Sequence, residues 1–186
     1  MNKLYLIDFG ISSRFLDENN NHIPFEQNVS FKGNLIFSSK NAFAEVTLSR
    51  RDDIISLVYF LIFCVNSKQS WIDAERPISD QYDEIARYKI NTKPIDFVNN
   101  QTKCFLPLLR YAYKLEFEER PDYRRIQFLM KKILLNRDFI PNNTFDWSIQ
   151  QEDRDHRNHG RLSSISSCGI PEEQLPWLEN IHPKDR

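Results

Sequence analysis

The densest run of apolar residues in the chain covers positions 54–65, where Ser56 is the single polar residue. Apolar residues on every side are typical of a helix that is buried in a core or a membrane, and twelve residues are too few to cross a bilayer. Ser49 and Asp52 precede the run with the spacing of a capping box, and Asp53 would also lie near the positive end of the helix dipole. We therefore predict a central buried helix that begins directly after Ser49.

Three further helices are predicted from apolar residues at helical spacing. The first spans positions 79–90 and ends before Pro94, because the residue that precedes a proline avoids the helical region. The second begins near Leu106, since Pro107 is tolerated in the first turn but not deeper in a helix. The third begins after Pro121 and the aspartate that follows it. The residues expected to face the core are Tyr82, Ile85, Ala86, Lys89 and Ile90 in the first helix, Phe105, Leu106, Leu109, Ala112 and Tyr113 in the second, and Tyr123, Ile126, Leu129, Met130, Ile133 and Leu134 in the third.

The two ends of the chain differ from this helical middle. Residues 1–7 are mostly apolar and predict a short buried strand that leads directly into Asp8. Positions 11–48 show little periodicity, and positions 71–77 form a polar connection. Residues 148–186 are predominantly polar and predict a disordered tail. The predicted fold is therefore mainly α-helical, with a central buried helix, a short N-terminal strand and a disordered tail.

Composition limits the classes of protein and partner. With 186 residues, of which 40% are hydrophobic, the chain is long enough to bury a core. A formal net charge of −1 gives no overall attraction to nucleic acid or to an anionic membrane, so neither is expected as a partner. No signal peptide, membrane span or lipidation signal is visible, which predicts an intracellular protein of the cytoplasm or nucleus. The three cysteines form no disulfide framework or zinc pattern, and Cys64 and Cys104 are expected in the core.

Several short motifs follow one another in a definite order. They are Leu4-Tyr5-Leu6-Ile7-Asp8-Phe9-Gly10-Ile11, His22-Ile23-Pro24-Phe25, Lys32-Gly33-Asn34, Phe37-Ser38-Ser39-Lys40-Asn41, Ser49-Arg50-Arg51-Asp52-Asp53, Phe117-Glu118-Glu119-Arg120-Pro121-Asp122-Tyr123 and Phe145-Asp146-Trp147. This order resembles the C-lobe of protein kinases of the casein kinase 1 family. The resemblance implies that residues 1–147 are a partial kinase domain and that residues 148–186 are its tail.

The resemblance also implies an activity and its cofactors. Members of this family transfer the γ-phosphate of ATP to serine and threonine hydroxyls of protein substrates, with Mg²⁺ bound to the ATP phosphates. Asp8 would bind the Mg²⁺ ion, and Phe9 and Gly10 would orient its carboxylate. Such a role suits an aspartate at a strand end, because the phosphates of ATP require a hard cation with oxygen ligands.

Further residues receive structural roles from the same resemblance. Residues 32–41, with Lys32, Gly33, Ser39 and Asn41, would form the substrate-facing part of the activation segment. Ser39-Lys40-Asn41 corresponds to Ser-Ile-Asn in the family and to Ala-Pro-Glu in most kinases. The carboxylate of Asp53 would accept hydrogen bonds from the backbone of the catalytic loop, and Arg51 would help to brace the site. Any contact between Arg120 and Asn41 would be a hydrogen bond, since Asn41 replaces the usual glutamate.

The chain departs from the family pattern within this segment. Asn34 stands where the family has threonine, and Leu35-Ile36-Phe37 stands where it has Ala-Arg-Tyr. In the family, the replaced arginine helps to form an anion site for phosphorylated substrates. A preference for acidic or phosphorylated substrates is therefore not implied for this chain.

Other kinase motifs do not occur in the sequence. It has no Gly-rich loop, no strand lysine with its helix glutamate, and no His-Arg-Asp catalytic loop. Phosphoryl transfer depends on the positioning that these groups provide, so we expect the isolated chain to be inactive and to bind neither ATP nor Mg²⁺ tightly. We also expect part of the 54–65 helix to form an exposed apolar patch, because the kinase elements that normally cover it would precede Met1.

Several interpretations remain open at this stage. The chain is expected to be a piece of a longer kinase, a kinase remnant that acts as a non-catalytic interaction or regulatory module, or a partner of a second polypeptide with the missing kinase portion. A further interpretation is an unrelated helical domain in which Asp8-Phe9-Gly10 occurs by chance.

Overall fold

The computed structural model describes residues 5–66 and 69–137, which belong to one compact unit, Lys3–Asn142. Over these residues the protein is mainly helical. The α-helices are α1 (Lys40–Phe43), α2 (Arg50–Asn66), α3 (Tyr82–Asn91), α4 (Leu106–Lys114) and α5 (Tyr123–Leu135), and short 3₁₀ helices occur at Ile78–Gln81, Pro94–Phe97 and Lys103–Phe105. The predicted tail, the boundary at residue 147 and the motif Phe145-Asp146-Trp147 lie outside the described residues.

Helix α2 is the central helix that the apolar run predicts, and it packs against α4. Its buried face contains Ile54, Ile55, Val58, Tyr59 and Ile62. The expectation that α2 is buried on all sides is wrong, because three large apolar residues on the opposite face are exposed. The exposed fractions are 45% for Leu57, 46% for Phe60 and 37% for Phe63. This surface, which we call the outer face of α2, confirms the expected apolar patch.

The other predicted helices begin close to the expected positions. α4 begins at Leu106 with Pro107 in its first turn, where the missing amide hydrogen is not needed. α5 begins after Asp122, whose side chain caps the helix by accepting a hydrogen bond from the Arg125 amide at 2.9 Å. Within α3 and α5, Ile90, Tyr123 and Leu134 are exposed, contrary to their predicted core positions.

The N-terminal prediction is wrong for the part that the structure describes. Tyr5, Leu6 and Ile7 form no strand and are largely exposed. A strand is stable only when a neighbouring strand satisfies its backbone groups, and the described residues provide no such neighbour for this segment. Cys64 is likewise exposed on α2 rather than buried, because it lies on the side of the helix that no described element covers.

The long segment that precedes α2 is held together by a few local interactions. Two isolated antiparallel bridges join Leu16 to His22 and Gln27 to Val46. The single turn of helix at α1 was not predicted, since four residues are too short to show a helical period. Its N-cap is Ser39, whose hydroxyl accepts a hydrogen bond from the Asn41 amide.

Aromatic residues fill the space between α2, α3 and α4. Trp71, which the sequence places in a polar connection, is buried beside Tyr59 and Phe97, with ring centroids 5.2 and 5.3 Å away. Tyr59 and Trp71 also lie beside the amine of Lys89, with ring centroids 4.8 and 5.2 Å from Nζ. Within the described parts of the chain, no helix is both long enough and apolar enough to span a bilayer.

Candidate functional site

Asp52 joins two of the motifs that the resemblance assigns to one site. Its side chain is almost fully buried, with 3% exposed. Oδ1 accepts hydrogen bonds from the Ser39 hydroxyl at 2.6 Å and from the Asn41 side-chain amide at 2.7 Å. Oδ2 accepts one from the Ser49 backbone amide at 2.9 Å, which is one half of the predicted capping box. Asp52 therefore connects the start of α1 to the start of α2.

Asp53 has the opposite environment from its neighbour. It is exposed at the N-terminal end of the outer face of α2, and its carboxylate has no hydrogen-bond partner among the described residues. Partial burial and the adjacent Asp52 carboxylate raise the pKa of Asp53. The carboxylate of Asp53 is therefore available to hydrogen-bond donors from outside this part of the chain.

Two arginines hold the loop between α4 and α5 against the start of α2. Arg51 Nη1 donates to the Leu115 carbonyl at 3.1 Å, and Arg50 Nη2 donates to the Glu118 carbonyl at 2.6 Å. Arg51 Nε also lies 3.8 Å from Asp52 Oδ2. Arg51 and Arg50 therefore both tie this loop to the start of α2, and the sequence did not indicate the contact made by Arg50.

Residues 33–38 form a tight turn directly before α1. Gly33 has φ +133°, and a Cβ atom there would lie 2.5 Å from the Ser38 hydroxyl oxygen. The Asn34 carbonyl accepts hydrogen bonds from the amides of Phe37 and Ser38, while its side-chain oxygen accepts one from the Ile36 amide. Lys32, just before the turn, is exposed. The turn therefore depends on the Gly33-Asn34 pair.

Lys89 anchors this turn from inside the protein. Its side chain is completely buried, and Nζ donates to the carbonyl oxygens of Leu35, Ile36 and Ser38 at 3.1, 2.7 and 2.7 Å. Burial lowers the pKa of Lys89 to about 6. The helical spacing predicted that Lys89 faces the core, but no sequence signal indicated that it contacts residues 35–38.

A cleft of about 480 Å³ lies between this segment and the start of α2. Its lining includes Lys32, Ser39, Asp52 and Asp53, so the structure brings these predicted residues to one surface. Asp8, Phe9 and Gly10 do not line this cleft, and all three residues are exposed.

Asp8, the predicted magnesium ligand, lies in an exposed turn. Asp8 has a left-handed backbone with φ 60°, and its Oδ1 accepts a hydrogen bond from the Gly10 amide at 3.3 Å. No group of three potential metal ligands occurs in the described ranges. One exposed carboxylate is a poor site for a cation that prefers six oxygen ligands, so further ligands would have to come from elsewhere.

No contact between Arg120 and Asn41 occurs among the described residues. Arg120 is exposed, and the side-chain amide of Asn41 donates to Asp52 instead. A guanidinium has no acceptor for that amide and would have to donate to the side-chain oxygen of Asn41. The partner of Asn41 therefore comes from α2 and not from the loop before α5.

No protein-family model matches the sequence. The described site consists of a turn held by Lys89, a carboxylate junction at Asp52, and an exposed apolar helix face with Asp53 at one end. These features can position a backbone segment and receive another polypeptide.

Proposed function

We propose that this chain is the C-lobe portion of a casein kinase 1-like protein serine/threonine kinase, and that it does not transfer phosphate on its own. One observation carries the proposal. Ser39 and Asn41, which correspond to the family's Ser-Ile-Asn, are hydrogen-bonded to Asp52 in Ser-Arg-Arg-Asp-Asp at 2.6 and 2.7 Å. Two motifs that were matched separately along the sequence thus meet in space, as an activation segment and a central C-lobe helix would.

The proposal assigns a role to each exposed polar group of the site. Asp8 provides one carboxylate toward Mg²⁺, which supplies electrostatic stabilisation of the phosphates of ATP when it is bound. The turn at 33–38 faces the protein substrate. Asp53 accepts backbone hydrogen bonds from a catalytic loop that belongs to the ATP-binding portion of the kinase.

The outer face of α2 supports an interaction with that ATP-binding portion. Leu57, Phe60 and Phe63 are exposed at successive turns of the helix, and Phe37 packs edge-to-face against both phenylalanines. Exposed apolar surface of this kind marks interaction sites in soluble proteins. Asp53 at the end of the same face offers a carboxylate without a partner among the described residues, so a matching surface would carry both apolar side chains and backbone N–H donors.

Reconstitution tests the proposal. The full chain is expressed together with a polypeptide that covers the Gly-rich loop through the catalytic loop of a casein kinase 1 family member, and transfer of labelled phosphate to a protein substrate is measured. We expect transfer only when both polypeptides are present. Asp8→Asn should lower the rate roughly 100-fold, because loss of a metal ligand removes several kcal/mol of charge stabilisation. The matched control Glu18→Gln, an exposed acid in the same segment, should leave the rate unchanged.

The same experiment separates the catalytic function from its alternative, a non-catalytic interaction module. The exposed outer face of α2 favours the alternative equally, because an interaction module needs a surface for a partner but no phosphate transfer. A stable complex that transfers no phosphate would contradict the catalytic proposal and support the interaction module. Equal rates for the parent chain and Asp8→Asn would remove Asp8 from the mechanism.

A further inference from the structure

We propose that Lys89 is a positioning residue that fixes the backbone of residues 35–38 in one conformation. The turn that it anchors is the substrate-facing segment only if the proposed function is correct. The anchoring itself depends on the geometry of α3 and the turn alone.

Lys89 contacts the turn through the backbone rather than through side chains. Three carbonyl oxygens, of Leu35, Ile36 and Ser38, lie within 3.1 Å of Nζ. Three acceptors match the three N–H donors of the ammonium form, which Lys89 carries below its pKa of about 6, whereas the neutral amine has two. The amides of Ile36, Phe37 and Ser38 are already bound to Asn34. Lys89 therefore binds carbonyl groups of the turn, while Asn34 binds its amide groups.

The surroundings of Nζ are those of a cation site built from aromatic faces. The rings of Phe43, Tyr59 and Trp71 have centroids 5.3, 4.8 and 5.2 Å from Nζ, which is within the range of cation–π attraction. No carboxylate forms a salt bridge with Lys89 in the described part of the chain. Among the described residues, the amine therefore has no ionic partner and forms all of its hydrogen bonds with the turn.

The loss of Lys89 should have a local effect on the turn. The Ile36 carbonyl would keep its second donor, the indole Nε1 of Trp71 at 3.0 Å. The carbonyls of Leu35 and Ser38 have no other donor among the described residues, so they would be left unsatisfied in a buried setting. The turn should then open more often than the rest of the core.

Hydrogen exchange on the full chain at about pH 5, below the pKa of Lys89, tests this inference. The amides of Ile36, Phe37 and Ser38 report on the turn, because each is bonded within it. In Lys89→Met, which keeps an apolar stem but loses the donors, we expect these amides to exchange at least roughly tenfold faster relative to the amides of α4. The control is Leu109→Ala, a fully buried residue of α4, which should raise exchange throughout the core without this local excess.

A rescue experiment distinguishes the hydrogen-bonding cation from simple filling of space. Lys89→Ala leaves a gap that n-propylammonium can occupy with its charged group at the three carbonyls. We expect n-propylammonium to slow the exchange of the turn amides toward parent values and 1-propanol to have no such effect. Equal rescue by both compounds would show that packing alone is restored, and would overturn the proposal.

Two other results would also count against the inference. Unchanged exchange at 36–38 in Lys89→Met would show that the turn does not need the anchor. Complete unfolding of both Lys89 variants without recovery in n-propylammonium would show that Lys89 supports the whole core and not this turn in particular. Neither result would bear on the kinase proposal, because the measurement requires no phosphate transfer.

Discussion

At the scale of single residues, the neighbouring aspartates Asp52 and Asp53 illustrate how one position along a helix changes the role of a side chain. Asp52 is buried and accepts three hydrogen bonds, whereas Asp53 is exposed and accepts none from the described residues. Asp53 is the residue that the motif resemblance singles out. The geometry gives the structural role to Asp52.

Substitution of each aspartate should separate the two roles. Asp52→Ala leaves buried donors of Ser39, Asn41 and Ser49 without their acceptor, so we expect the free energy of unfolding to fall by about 3 kcal/mol. Asp53→Ala should change it by less than about 0.5 kcal/mol. The raised pKa of Asp53 agrees with this small effect, because a fold that disfavours the ionised carboxylate gains no stability from it at neutral pH. Urea denaturation measures both values, and equal losses would contradict the distinction.

At Gly33 the backbone conformation dictates the identity of the residue. A side chain at φ +133° is strained, and its Cβ would overlap the Ser38 hydroxyl oxygen at 2.5 Å. We expect Gly33→Ala to lower the free energy of unfolding by about 2 kcal/mol. Gly10→Ala is the matched control, since its Cβ would meet only the exposed Asp8 side chain at 3.2 Å. A loss in Gly10→Ala as large as that in Gly33→Ala would contradict this account.

At the scale of secondary-structure elements, the two faces of α2 differ in burial. The inner face packs on α4, and the outer face is exposed although it is just as apolar. The sequence of the helix cannot show this difference, because both faces carry similar side chains. The distinction depends on which elements lie beside the helix.

The two faces should respond differently to truncation. Ile62→Ala removes a fully buried side chain from the core, so we expect a loss of about 3 kcal/mol in the free energy of unfolding. Leu57→Ala, on the outer face, should cost less than about 1 kcal/mol in the isolated chain. Chemical denaturation of the two variants provides the measurement. A loss in Leu57→Ala comparable to that in Ile62→Ala would mean that the outer face is covered in solution.

At the scale of the whole molecule, the buried amine of Lys89 links stability to pH. Burial lowers its native pKa to about 6, whereas a lysine in the unfolded chain titrates near 10.4. Between these values the unfolded state binds more protons than the native state. The free energy of unfolding should therefore rise with pH across this window, by at most about 1.4 kcal/mol per pH unit.

Comparison with Lys89→Met isolates this contribution. We expect the parent chain to gain stability between pH 6.5 and 9 relative to the variant, because only the parent chain has the buried amine. Tyr59 and Tyr113 do not interfere, since burial raises the pKa of Tyr59 well above its ordinary value and that of Tyr113 to about 12. Parallel stability curves for the two chains would show that the native pKa of Lys89 is close to its unfolded value.

The sequence predicted the helices better than it predicted the site. The starts of α4 and α5 follow from Pro107 and Asp122, because proline and capping signals act within a single turn. The predicted N-terminal strand does not form at residues 5–7, because a strand needs a neighbouring strand that is often distant in sequence. The hydrogen bond from Asn41 to Asp52 was likewise not predicted, because the two residues belong to different segments that meet only in the folded chain.

By itself, the sequence determined where α2, α4 and α5 begin, that α2 is central, and that a Gly-Asn pair precedes the Ser39 motif. These features depend on interactions between residues a few positions apart. The tertiary structure decided which face of α2 is exposed, which aspartate is buried, and that Lys89 holds a turn 51 to 54 residues away in the sequence. Burial and hydrogen-bond partners depend on contacts between distant segments, and a local pattern of residue types does not specify which segments meet.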